Sequence, residues 1–143
     1  MDKCSQMANL YLATLRALYL IHQHNHWLIK GTNFYANHLL FQRVYESALE
    51  NVDTTAEKFI GVLGDGSVDY MLQSELIHKI MIKYKSETMV KQSIAIEKDF
   101  LKLSKEVYDC FESEGKLSLG LDDMIMAIAS VREEAIYLLS RIE

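Results

Sequence analysis

The sequence predicts an all-α protein, a four-helix bundle with a short extra helix in the connection between its second and third long helices. Three observations lead there. The 143 residues contain no proline and only six glycines, so few positions interrupt a helix. Five of those glycines gather at three breaks: Gly31, Gly64-Asp65-Gly66, and Gly115 to Gly120. Between the breaks, apolar residues recur at threes, fours and sevens, the period of a helix with one buried face. The composition, 50% hydrophobic and 24% charged, is that of a folded chain, and its length suits a single domain over residues 1–143.

The first helix is expected from about Gln6 to Ile29, closing at Gly31, where a left-handed cap is available. It is apolar on more than one side, which implies contacts between copies of the chain as well as an internal core. The second runs from near Asn33 to Leu63, with Phe34, Phe41, Tyr45, Ala48, Val52, Phe59 and Leu63 in one stripe. A shorter amphipathic stretch, Val68 to Tyr84, fills the link and permits a long crossover. The third long helix starts near Ser86 as N-cap and carries Ile96, Phe100, Leu103, Val107 and Cys110 on one face. The fourth follows Asp122 and Asp123, acids suited to a helix N-terminus, and aligns Leu121, Met124, Ile128, Ala135, Leu138 and Ile142.

Several classes of function are set aside at this level. The apolar run Leu10–Ile21 is too short to span a bilayer and is broken by Thr14 and Arg16. Cys4 and Cys110 lie far apart in sequence, without metal-type spacing, and read as buried or semi-buried thiols of a reducing compartment. With no signal peptide visible, the expected location is cytoplasmic. The net charge of −5, and a first ten residues with only Lys3 against Asp2, make attraction to DNA or anionic lipid an unexpected property. No nucleophilic triad or phosphate-binding glycine loop is present.

The residues able to do chemistry concentrate in the first half. His22, His24 and His26 crowd the end of the first helix, and His38 opens the second. An antiparallel hairpin about Gly31 sets His26 and His38 at similar heights. The second helix also carries Glu46, Glu50, Asp53 and Glu57 at intervals of four, three and four, with Asp53 and Glu57 one turn apart. Imidazole with carboxylate is a ligand set for iron, zinc or manganese. His38 and Asp53 are fifteen residues apart on one helix, or about 22 Å along its axis. They cannot hold one ion within a single chain. If all four residues form one site, it lies between two chains, most simply across a two-fold axis.

Taken singly, these residues have plainer roles: His38 a core histidine, the acids a solvated face, Trp27 an interface filler. Taken together, the run His26-Trp27-Leu28-Ile29-Lys30-Gly31-Thr32-Asn33-Phe34, followed by His38, Phe41, Tyr45, Asp53, Ala56, Glu57 and Leu63-Gly64, resembles the signature of the Dps family of mini-ferritins. The resemblance implies a ferritin-like four-helix bundle and a hollow homo-oligomer, a dodecamer, with a metal site across each two-fold interface. The positions that match the family's ligands are His26 and His38 from one subunit and Asp53 and Glu57 from its neighbour. The implied activity is that of a ferroxidase: Fe(II) is oxidised, typically by hydrogen peroxide, and ferric mineral collects inside, limiting oxidative stress. Trp27 would intercept stray radicals, and Asp122 and Asp123 would line an iron entry pore. Zinc is a further ion that the same ligands suit.

The sequence departs from the family pattern at Asn37, at Lys58 and at Tyr137, none of which removes a ligand. His22 and His24 are expected to be structural or surface residues. Glu75-Leu76-Ile77-His78 spells the ExxH pattern of larger di-iron proteins, but it is single and sits in the short linking element, so it reads as coincidence. The alternative to a ferroxidase is a non-catalytic shell that binds zinc or manganese, or shields DNA or a partner, without rapid iron oxidation.

Overall fold

Asp2 opens the first helix. Its carboxylate accepts the Ser5 backbone N–H at 2.8 Å, satisfying one of the amides that no turn of helix can pair. In the computed structural model, which describes residues 1–142, the resulting α1 runs over Lys3–Leu28, starting three residues before Gln6. After a turn through Gly31, α2 spans Phe34–Leu63. It closes at Gly64, whose φ of +94° is one that a side chain would resist.

A single 3₁₀ turn, Asp65–Ser67, leads to the short α3, Tyr70–Ile82. Asp69 caps α3 by accepting the N–H groups of Met71 and Leu72. Side-chain bonds then tie it to α1: Gln73 accepts from Arg16 at 3.0 Å and donates to Asn9 at 3.0 Å.

The fourth helix in chain order, α4, covers Met89–Ser113. The expected start at Ser86 is not observed. The backbone amides of Lys83, Tyr84, Lys85 and Glu87 each bond the carbonyl three residues back, in turns that follow α3, and Thr88 takes the extended conformation before the new helix. The last helix, α5, covers Leu119–Ser140. It starts before Asp122 and not after Asp123, because the Ser118 hydroxyl accepts the Leu121 N–H at 3.1 Å and serves as the cap. Asp122 falls inside the first turn, where its charge still favours the helix end.

The described residues contain no strand. α1 lies at the centre and packs against α2, α3 and α4, while α5 closes on α2 and α4. The several apolar sides of α1 are therefore largely covered within the chain. Among the large apolar residues of α1, Leu20, Trp27 and Leu28 remain exposed. Tyr11 sits between Phe59 and Phe100, ring centroids 5.6 and 4.8 Å away, with Phe111 against Phe59. Burying aromatic side chains of this size stabilises a core by about 1.5–3 kcal/mol each.

The expected face of α4 is buried throughout, from Ile96 to Cys110. On α2, Phe34 stays on the surface, at the open end of the bundle, and Val44 and Thr55 join Phe41, Ala48 and Phe59 inside. On α5, Leu139 is buried where Leu138 was expected, because the inward stripe passes through Arg132. No described helix is long and apolar enough to cross a membrane.

Candidate metal centre

The turn between α1 and α2 sets the last turn of one helix against the first turns of the other. His26 and His38 meet there, their rings stacked 3.7 Å apart and inclined by 17°. Each ring's Nδ1 lies 2.7 Å from the other residue's backbone carbonyl oxygen. A carbonyl only accepts, so each Nδ1 carries the hydrogen and donates it. In a neutral imidazole this bond selects the tautomer whose Nε2 keeps its lone pair. Two aligned nitrogen donors result, each oriented by the backbone of its neighbour. His26 is buried and His38 half-buried, with Tyr45 edge-on to the first ring and Phe34 and Tyr35 against the second.

Asp53 and Glu57 lie far along α2, exposed and one turn apart, in a line with exposed Glu46 and Glu50. The chain does not bring them to the histidines. Among the described residues no group of three or more His, Cys, Asp or Glu side chains could hold a metal ion. Each copy thus carries two separated halves of the expected ligand set. On the same stretch of α2, an apolar groove of about 350 Å³ is lined by Leu20, Leu49, Val52, Ala56 and Tyr70 among others. Leu49 and Tyr70 are at least half exposed. Trp27, beside His26 in sequence, is 63% exposed.

His22 has the structural role expected of it, in a network the sequence did not reveal. Asn25 donates to Ser93 Oγ at 2.9 Å, Ser93 lies 2.9 Å from His22 Nδ1, and His22 Nε2 lies 2.9 Å from Glu97 Oε1. The other Glu97 oxygen is 3.1 Å from Arg132 Nε, off the line of a good hydrogen bond, so charge more than direction joins that pair. His22, Glu97 and Arg132 are fully buried. Burial holds the His22 imidazole below its ordinary range against the opposing pull of Glu97, so it is neutral and donates from Nε2. Among the described residues the bundle interior thus offers one buried carboxylate, already paired with a guanidinium, and no cluster of three or more metal-ligating side chains. The signal in the sequence was a charged residue in phase with an apolar stripe: Arg132 stands four residues after Ile128 and three before Ala135.

The remaining candidates stay apart. His24 is exposed, its Nδ1 3.3 Å from Asn25 Oδ1. Glu75 and His78 are exposed on α3. Asp122 is half-buried and Asp123 exposed in the first turns of α5. Cys4 and Cys110 are free and buried as expected, but they are not apart: the fold brings the two thiols together.

No family model matches the chain. It is 27% identical over 110 residues to the nutrient stress-induced DNA-binding protein of Nostoc sp. PCC 7120, covering 75% of this chain and 60% of that protein. The protein of the same name from Synechococcus sp. is 29% identical over 111 residues, covering 75% of this chain and 62% of the relative. The matches therefore span about 60% of the relatives' own length. Among solved structures, Dps from Thermosynechococcus elongatus superposes with a TM-score of 0.81 at 16% identity, covering 98% of this chain and 89% of the other. DpsC from Streptomyces coelicolor gives 0.78 at 21% identity, covering 96% and 81%. The Dps protein of Vibrio cholerae O1, described as a member of a broad superfamily of ferritin-like diiron-carboxylate proteins, gives 0.77 at 16% identity, covering 97% and 87%. The chain has the ferritin-like fold of the Dps proteins, a four-helix bundle with an extra helix between its second and third long helices, and it resembles that family in sequence as well.

Proposed function

We propose that this chain is the subunit of a hollow homo-oligomer that oxidises ferrous iron at sites shared between two copies and stores the product as ferric mineral. The observation that carries this reading is the His26–His38 pair, two imidazoles whose Nδ1 atoms are spoken for and whose Nε2 atoms are free. Asp53 and Glu57 of a second copy supply the hard oxygen donors that iron also takes. The apolar groove beside Asp53 gives that second copy a surface to cover. The shell of twelve is the assembly that the Dps resemblance implies.

Iron is the substrate in this reading. Two Fe(II) ions each give one electron to hydrogen peroxide, the O–O bond breaks, and two hydroxides form with two Fe(III). Pairing the electrons at one site avoids the single-electron step that would release a hydroxyl radical. The residues of this chain bind and orient: the histidines hold the softer face of the ion, and the carboxylates offset the charge that grows on oxidation. Trp27, exposed and next to His26 in sequence, would give an electron to any radical that escapes. Asp122 and Asp123 would draw ferrous ions towards an entry pore.

The test is anaerobic Fe(II) addition to the purified assembly, then peroxide, following ferric absorbance beside a His38→Ala/Asp53→Ala variant of the same size. Fast oxidation lost in the variant supports the reading. Equal, slow oxidation in both overturns it. Bound zinc without oxidation would mean a non-catalytic shell instead.

A second reading, nucleic-acid binding, is favoured by an uneven charge. Residues 79–105 hold seven exposed lysines against Glu87, Asp99 and the buried Glu97, although the whole chain carries −5. Lys91, Lys98, Lys102 and Lys105 share one face of α4 by their spacing of seven, four and three. The relatives from Nostoc and Synechococcus are each named as a DNA-binding protein. A gel shift of duplex DNA that weakens with salt and is lost in Lys98→Glu/Lys102→Glu would support it. No shift at low salt by the intact assembly would exclude it.

A further inference from the structure

The antiparallel pairing of α1 and α4 can be followed contact by contact. Asn25 bonds Met89 and Ser93, His22 meets Ser93 and Glu97, and Tyr11 lies on Phe100. Each step back along α1 is matched by a step forward along α4. Carried to the start of α1, this register sets Cys4, in the first turn, beside Cys110, in the last turn of α4. Both side chains are free thiols in the same apolar cluster, at 5% and 7% exposure, and Cys110 is near enough to influence the Cys4 thiol.

Two thiols held together under a thin cover are a dithiol. Among the described residues no His, Asp or Glu joins them in a cluster that would hold a metal. We propose that Cys4 and Cys110 form an oxidisable pair, which hydrogen peroxide converts to an intrachain disulfide pinning the first turn of α1 to the last turn of α4. In the first step one sulfur takes an oxygen from peroxide, the O–O bond breaks, and water leaves with a sulfenic acid behind. In the second, the other thiol attacks that sulfur, an S–S bond forms, and a second water leaves. Two thiols and one peroxide thus give one disulfide and two waters.

The surroundings set the pace of this reaction. Burial, with Cys110 next in effect, pushes the Cys4 thiol up to about 11, so thiolate is scarce at neutral pH. Access depends on opening of the helix ends, where local unfolding costs least. The pair therefore answers sustained peroxide and ignores brief exposure. The thiol oxidation needs no iron, so it is independent of the ferroxidase chemistry.

The experiment uses the iron-free, full-length assembly, incubated with excess peroxide, then unfolded in an alkylating agent and analysed by intact mass and non-reducing peptide mapping. The expected result is parallel loss of both thiols, a mass lower by two hydrogens, a Cys4 peptide joined to a Cys110 peptide within one chain, and recovery of both thiols with a reductant. Cys4→Ser and Cys110→Ser should each abolish that linked peptide. Retention of both thiols, oxygen added to one thiol without a link, or a link between chains would overturn the proposal.

Discussion

His26 and His38 hold each other in place: each donates its ring Nδ1–H to the other's backbone carbonyl at 2.7 Å, and the rings stack 3.7 Å apart. Two consequences follow from one geometry. The free backbone carbonyl near the end of α1 gains a partner, and the Nε2 atoms are the ring nitrogens left over for a ligand. Replacing either ring should weaken metal binding by at least about tenfold while costing only about 1 kcal/mol of stability from the lost hydrogen bond. Calorimetric titration of His38→Ala with Co(II), which is not oxidised under these conditions, measures the first; chemical denaturation measures the second. Unchanged affinity would remove the histidines from the site.

The separation of His38 from Asp53 along α2 makes a complementation test possible. His38→Ala and Asp53→Ala subunits should each assemble into inactive shells. When the two are refolded together, every mixed two-fold pair regains one intact site of its two. Random mixing then restores about a quarter of the wild-type sites. The initial rate of ferric absorbance after mixing reads this directly. A site contained in one chain would show no recovery at all.

The buried pair Glu97–Arg132 sets a different expectation. Arg132→Ala leaves a fully buried carboxylate without its cation and should cost about 3–5 kcal/mol in denaturant. Glu97→Leu/Arg132→Met, which removes both charges, should recover most of that loss. A similar cost for the single and double variants would mean that packing, and not charge, is what Arg132 supplies.

His22 adds a pH dependence. Its folded pKa lies below the ordinary 6.5, so the unfolded chain binds a proton more readily. The contribution from neutral His22 is fully present above pH 6.5 and is lost progressively as pH falls towards the folded value. Denaturation midpoints should therefore fall between pH 7 and the mildly acid range, and His22→Gln should flatten that slope. Equal slopes in both proteins would assign the acid sensitivity to other groups.

The start of α5 can be tested by its cap. Ser118→Ala should destabilise the chain by about 1 kcal/mol, because the Leu121 N–H loses its acceptor. Ser86→Ala, at the position where the sequence suggests a cap and the fold has a turn, should change stability by less than about 0.5 kcal/mol. Thermal unfolding of the two variants side by side is sufficient.

The one-dimensional pattern by itself determined the helices, their approximate limits, the hairpin that sets His26 beside His38, and the impossibility of joining His38 to Asp53 within one chain. These follow from rise per residue and from which residues repeat on a face, quantities local to one helix. Only the tertiary structure decided which polar residues meet across helices. Glu97 and Arg132 read as interruptions of an apolar stripe until α4 and α5 are set side by side, and Cys4 and Cys110 read as distant until α1 and α4 run antiparallel. The several apolar sides of α1 likewise have no assignment until three neighbours cover them. The reason is register: how far one helix slides along another depends on turns, caps and packing taken together, and no periodicity within a single helix contains that information.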